Sequence, residues 1–179
     1  AEGQEMLAEG IAPAIVDNVG RMTGMPRGPL ELADDVALDL AYKVREQTKK
    51  DLGAAYVAGP SDALIEALVV KHGRLGRKNG KGFYDYPANK GPKTLWPGLA
   101  DLVALKVTEA EPAAVEELKK RFLYRQAVEA ARCVAEGVVT DPRDGDVGAI
   151  LGWGFAPWTG GPISLIDTVG LAKFVEECD

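Results

Sequence analysis

The sequence predicts an all-helical fold. Three observations carry that expectation. Apolar residues recur at helical spacing between proline and glycine stops, a single short stretch reads as a strand, and one helical pattern runs unbroken from Pro112 to Glu136. Residues 1–9 read as the end of a helix, with Gly10 at the position where a left-handed cap is cheapest. Pro13 suits the first turn of the next helix, in which Ile15, Val16, Val19 and Met22 follow a helical period, and Gly24 closes it. Residues 25–28 form a loop, and Pro29 starts a short helix. An amphipathic helix is expected over about residues 35–51, with Val36, Leu40, Lys43 and Val44 on one side and Gly53 beyond its end. Ser61 is placed to cap a helix reaching Lys71, which Gly73 stops. Residues 73–82 form a turn-rich loop, and Phe83-Tyr-Asp-Tyr86 is the one short strand. The proline- and glycine-bearing stretch 87–98 is the best linker candidate. Pro142 and Pro162 read as further helix starts, and residues 171–177 open another helix.

With 179 residues, 46 % of them hydrophobic, the chain can bury a sizeable core as one domain or two small ones. A net charge of −6 argues against a nucleic-acid role, since neutralising phosphates calls for a basic surplus. Cys133 and Cys178 are too few for a disulfide framework and fit a reducing compartment; Cys133, beside Val134, reads as core. The single histidine, His72, excludes any His-pair metal site and sits at a helix end, where it suits the dipole. No apolar stretch reaches the roughly 18–20 residues of a membrane span. Carboxylates at Glu2, Glu5 and Glu9 exclude a secretory leader. The expected setting is soluble and cytoplasmic.

The strongest internal signal is a repeat. Gly28-Pro29-Leu-x-Leu32-x-Asp34-x-Val36-x-Leu38 recurs as Gly161-Pro162-Ile-x-Leu165-x-Asp167-x-Val169-x-Leu171, identical at six of eleven positions. Ala8-Glu9-Gly10 recurs as Ala135-Glu136-Gly137, so the second copy holds six extra residues, around 141–146. The helix before Gly137 reaches back to Pro112, whereas nine residues precede Gly10, and the second copy stops eight residues after Leu171. Both ends read as trimmed.

Little of this pattern carries chemistry by itself. Gly-Pro makes a sharp loop-to-helix entry, and its glycine lets another group come close, as a packing corner first and a substrate-site edge second. Asp34 and Asp167 are expected to cap or brace the following helix. The loop 73–82 is basic, with Arg74, Arg77, Lys78 and Lys81, but it has neither Walker spacing nor the strand–turn–helix setting of a dinucleotide fingerprint. A solvated turn is the leading reading of those cations. Asp141, Asp144 and Asp146 lack the glycine and glutamate of a calcium loop, and Asp141-Pro142 reads as an N-cap with its first helical residue. Trp153, Phe155 and Trp158, set among glycines, either line a pocket or pack on a neighbouring domain.

At this point a family resemblance stands out. Residues 24–39, Gly-Met-Pro-Arg-Gly-Pro-Leu-Glu-Leu-Ala-Asp-Asp-Val-Ala-Leu-Asp, resemble the signature of the 3-hydroxyacyl-CoA dehydrogenase C-terminal domain. Lys78-Asn-Gly-Lys-Gly-Phe-Tyr-Asp-Tyr86 is similar to that domain's closing motif. Glu136-Gly137, Asp141-Pro142, Asp146 and the run from Gly152 to Pro162 resemble the second copy found in multifunctional fatty-acid β-oxidation proteins. Two departures stand out: Arg27 where methionine is common, and Ala37 in place of a glycine.

The resemblance implies two tandem helical domains of the 6-phosphogluconate-dehydrogenase-C-terminal-like kind, residues 1–95 and 112–179, trimmed at both ends. The second copy stands where the single-function enzymes place a partner subunit. It implies NAD-dependent oxidation of an L-3-hydroxyacyl-CoA, with a histidine held by a glutamate as the base. NAD and those catalytic groups belong to an N-terminal NAD-binding domain that precedes this chain, and the catalytic asparagine lies before Ala1. The chain itself therefore carries no catalytic, cofactor-binding or metal-ligating residue. Met25, Pro26, Arg27, Gly28 and Pro29 are its candidate substrate-binding residues. The implied partners are the acyl-CoA substrate, the NAD-binding domain and an enoyl-CoA hydratase domain, with no nucleic acid and no membrane span. Two rival readings remain: a non-catalytic assembly module, and a phosphate or CoA binder acting through the basic loop.

Overall fold

Proline opens five of the helices in the computed structural model, which describes residues 2–89 and 91–178. Pro13, Pro29, Pro112, Pro142 and Pro162 are the first residues of α2 (Pro13–Met22), α3 (Pro29–Val36), α7 (Pro112–Ala135), α8 (Pro142–Trp153) and α9 (Pro162–Val169). A proline there loses no hydrogen bond, because the first amides of a helix have no partner within it. The other helices are α1 (Glu2–Ala8), α4 (Leu38–Leu52), α5 (Asp62–Glu66), α6 (Leu99–Leu102) and α10 (Leu171–Cys178). Among the described residues the strands are β1 (Tyr84–Asp85) and β2 (Thr94–Leu95), paired antiparallel. The molecule is thus mostly helical, and no described helix is long and apolar enough to cross a membrane.

Two compact units share the chain: Ala1–Asn18 with Arg27–Ala110, and Val19–Pro26 with Glu111–Asp179. In the first unit Met6, Leu7, Val16, Leu30, Leu38, Leu68 and Phe83 are fully buried. A parallel bridge between Ile11 and Val107 ties the segment after α6 to the start of α2. In the second unit α7, α8, α9 and α10 enclose Leu123, Ala127, Ala149, Phe155, Leu165 and Phe174. Tyr124 and Phe174 lie with ring centroids 4.5 Å apart, tilted as aromatic pairs prefer.

Several expectations need correction. The short helix from Pro29 and the longer one after it are both present, but the second begins at Leu38 instead of about residue 35; the junction is Ala37, the one non-glycine residue with positive φ (88°) among those described. Instead of continuing the helix, the Leu38 amide donates to Leu75 O at 3.0 Å. The break buries Leu38 and turns the expected apolar side outward, leaving Val36, Leu40 and Val44 exposed. A β-carbon in that backbone region stores strain of about 1–3 kcal/mol. Gly170 takes nearly the same conformation (φ 88°, ψ 128°, against 88° and 123° for Ala37) at no such cost.

Ser61 does not cap α5, because its backbone is already helical (φ −79°, ψ −8°). Asp62 orders that turn, accepting from Tyr56 Oη at 2.5 Å and from Gly59 N at 3.3 Å. The helix then continues into one π-helical turn, Ala67–Lys71, before Gly73. Residues 87–98 are no linker: they include β2, which returns to pair with β1, and Trp96 N donates to Phe83 O at 2.9 Å. Met22 is exposed and Cys133 only half-buried, so neither is core. Asp141 does cap α8, accepting from Arg143 N at 2.9 Å.

Candidate functional site

The loop between α2 and α3 is built from a buried threonine outward. Thr23 Oγ1 donates to Gly20 O at 2.6 Å, which ends α2 against its own last turn. Gly24 follows at φ +98°. Met25 is half-buried, with its sulfur 3.9 Å from Gln126 Nε2, and Pro26 lies against Gly154. Arg27, Gly28 and Pro29 belong to the first unit and have other neighbours. The Arg27 guanidinium pairs with the Asp35 carboxylate at the surface. Gly28 is buried beneath Asp17, whose carboxylate occupies the place a β-carbon would take. Pro29 packs over Gly3. The five candidate residues are consecutive, yet two different sets of neighbours hold them.

The glycine in each Gly-Pro pair has a specific reason, and it is a carboxylate. Asp17, fully buried on α2, accepts from Leu30 N at 2.7 Å and Glu31 N at 3.3 Å, capping α3 from a distance. Asp146 on α8 does the same for α9, accepting from Ile163 N at 2.7 Å and from Ser164 Oγ at 2.6 Å. A β-carbon on Gly161 would collide with Asp146, as one on Gly28 would with Asp17. A carboxylate at a helix N-terminus satisfies otherwise orphaned amides and suits the dipole. Both carboxylates stand four residues after the proline that opens their helix, a register that was open to view in the sequence and passed unremarked.

Asp34 was expected to brace the following helix. It holds the strand instead. Fully buried, it accepts from Phe83 N at 2.8 Å, Tyr84 N at 3.0 Å and Tyr86 Oη at 2.9 Å. Tyr84 Oη then reaches Asp17 Oδ2 at 2.6 Å, so two buried carboxylates grip one short strand. A β-carbon on Gly82 would fall on the Asp34 carboxylate, which accounts for the glycine of the Gly-Phe-Tyr run. Burial raises the Asp34 carboxyl above its ordinary range; the Tyr84 and Phe83 amides, the Tyr86 hydroxyl and the Arg74 charge pull it back only in part. Burial, with the Asp34 charge beside it, likewise pushes the Tyr86 phenol up. Asp167, the counterpart of Asp34 in the sequence, is exposed.

The cations of the loop 73–82 have assigned partners. Arg74 is buried, not solvated: Nε donates to Gly82 O at 2.6 Å, Nη2 to Asp85 Oδ1 at 2.6 Å, and the guanidinium lies 4.2 Å from the Trp96 ring centroid. Arg77 pairs with Asp35 at 2.6 Å, and Lys78 pairs with Asp39. Lys81 is exposed. His72 is exposed and tilted against Trp96 at 5.0 Å. Among the described residues no group of three histidine, cysteine, aspartate or glutamate side chains could hold a metal ion.

Residues 1–86 match the family of the 3-hydroxyacyl-CoA dehydrogenase, C-terminal domain. A fatty acid oxidation complex subunit alpha from Shewanella amazonensis is 39 % identical over 175 residues, 97 % of this chain and 24 % of that protein. The subunit of the same name from Vibrio cholerae is 40 % identical over 153 residues, 86 % of this chain and 21 % of its own length. The chain thus spans about a quarter of the curated relatives it matches. Among solved structures, the dehydrogenase part of multifunctional enzyme 1 from C. elegans is similar, with a TM-score of 0.59 and 25 % identity over 79 % of this chain and 31 % of that one. Over residues 1–86, just under half of its length, the chain is similar to the C-terminal domain of the 3-hydroxyacyl-CoA dehydrogenases, which are oxidoreductases.

Proposed function

We propose that this chain is the helical, substrate-side portion of an NAD-dependent L-3-hydroxyacyl-CoA dehydrogenase of fatty-acid oxidation, inactive alone. The observation that carries this reading is the match of residues 1–86 to the dehydrogenase domain, beside a separate alignment with a fatty acid oxidation complex subunit alpha that covers 97 % of the chain. In the parent polypeptide an NAD-binding domain and an enoyl-CoA hydratase domain are its partners, and the setting is cytoplasmic.

NAD itself does not fit the described residues. A dinucleotide cradle needs a parallel strand feeding a glycine turn and a helix. Here the only sheet among the described residues is the antiparallel β1–β2 pair, and the glycine loop 73–82 runs into a strand. No catalytic step is assigned to this chain. Its contribution is to bind and orient the acyl-CoA through Met25, Pro26, Arg27, Gly28 and Pro29, a task in which misplacement by an ångström is costly.

The domains are residues 1–95 and 112–179, two copies of one 6-phosphogluconate-dehydrogenase-C-terminal-like helical unit, the second standing in for a partner subunit. Three matched details support the duplication. Asp17 and Asp146 cap the third helix of their unit; Gly28 and Gly161 make room for them; and Ala37 and Gly170 break the helix at the same backbone angles.

An acyl-CoA carrying a photoreactive group on its acyl chain tests the site. Irradiated with the parent polypeptide, it is expected to label residues 25–29, with labelling suppressed by excess acetoacetyl-CoA. Label confined to other segments overturns the assignment.

A further inference from the structure

Both exposed tryptophans of the second unit commit their single donor to holding the segment that leads into the loop 25–29. Trp158 Nε1 donates to Thr23 O at 2.7 Å. Its ring also covers Gly24, where a β-carbon would stand 3.1 Å from Trp158 Cδ1. The second arm runs through Gln126. Trp153 Nε1 donates to Gln126 Oε1 at 3.1 Å, which fixes the amide so that Nε2 faces Phe122 O at 2.8 Å and Met25 Sδ at 3.9 Å. Between the two arms Pro26 sits on Gly154, where a β-carbon would stand 2.8 Å from Pro26 Cδ.

Core packing does not explain this arrangement. Trp153 and Trp158 are 52 % and 66 % exposed, so each contributes only a fraction of the burial an indole can give. The hydrophobic centre of the unit is supplied by Phe155 and Phe174 instead. What the indoles add is direction: an indole has one N–H and no acceptor, and here each N–H is spent on fixing the course of residues 23–26. A carbonyl held by an indole and a glycine covered by its ring leave the following Met-Pro pair little freedom.

We infer that Trp158 and Trp153 are positioning residues for the substrate loop: the aromatic loop of the second copy sets where Met25 and Pro26 meet the thioester. This rests on the proposed assignment of that loop to the acyl-CoA. It gives the second unit a task beyond standing in for a subunit, because Met25 and Pro26 lie in the same compact unit as Trp153 and Trp158.

Trp158→Phe keeps an aromatic ring at an exposed position and removes the N–H. In this chain the variant is expected to speed hydrogen exchange of the amides within residues 23–28 about tenfold, the loss of one hydrogen bond. The amides of Phe83 and Tyr84, in the first unit, should be unchanged and report that the fold is intact. In the parent enzyme the same variant is expected to raise KM for acetoacetyl-CoA about fivefold with kcat within about twofold, and Trp158→His, which restores a ring N–H, to recover part of the loss. Unchanged exchange in residues 23–28 overturns the inference and leaves the substrate assignment standing. Faster exchange with an unchanged KM overturns it through the assignment it rests on: the strap is real, but the loop does not meet substrate.

Discussion

Asp34→Ala is expected to cost about 4 kcal/mol of folding stability, the largest loss from any single substitution considered. The carboxylate accepts from two buried amides and a part-buried tyrosine hydroxyl, and alanine removes the acceptor of all three, two of them out of reach of water. Chemical denaturation should show a lower midpoint with an unchanged slope for the first unit. Exchange at Phe83 and Tyr84 should accelerate most. A loss below about 1 kcal/mol would mean that the strand is held by its hydrophobic contacts alone.

The pH dependence of this group has an unusual sign. Its folded-state pKa is raised, chiefly by burial, so on acidification the folded protein takes up the proton before the unfolded chain does. The stability Asp34 contributes therefore grows as pH falls through the raised folded value, and levels off below the ordinary carboxyl value. Most paired carboxylates behave in the opposite way. The stability of the wild type relative to Asp34→Asn should widen on going from neutral toward about pH 4.

The second large effect is at the remote helix caps. Asp17→Ala is expected to cost about 3 kcal/mol, because it removes the buried acceptor shared by the Leu30 amide and the Tyr84 hydroxyl. Asp146→Ala should cost about 2 kcal/mol, since the groups it leaves, Ile163 N and Ser164, are only part-buried. Denaturant titration of both variants gives the comparison, and the order of the two losses matters more than their size. Equal or reversed losses would mean that burial does not set the strength of the cap.

Much of this fold was open to a reader of the sequence. Proline at the first helical position is a local rule, and it placed the starts of α2, α3, α7, α8 and α9 correctly. Errors arose where distant residues decide. The apolar spacing of Val36, Leu40 and Val44 describes one continuous helix, but Leu75 takes the Leu38 amide and Ala37 bends, so the stripe faces outward. Asp34 has the composition of a local cap, and only the fold brings Phe83 and Tyr84 to it across 49 and 50 residues. Ser61 has the right chemistry for a cap on a backbone already turned into the helix. Arg74 belongs to a run of cations that suggests a solvated turn, yet the hairpin folds over it.

The candidate site was legible in a different sense. The loop 25–29 stood out through its motif, while the neighbours that hold it, Trp153, Trp158, Gln126 and Asp17, lie in other parts of the sequence. Of these, Trp153 and Trp158 read from the sequence as part of an aromatic loop set among glycines that either lines a pocket or packs on a neighbouring domain. A glycine with no visible reason in the sequence, such as Gly28 or Gly82, gained one only when a carboxylate was found in the space its missing side chain leaves.

Consumption of NADH with acetoacetyl-CoA, followed for this chain alone and for the parent polypeptide under the same conditions, is the most direct measurement. Sustained turnover by the parent and none above the uncatalysed rate by the chain alone are expected, because under the proposed function the helical units only orient the thioester and another domain supplies hydride and base. Turnover by the chain alone, or a folded parent with none, would contradict it.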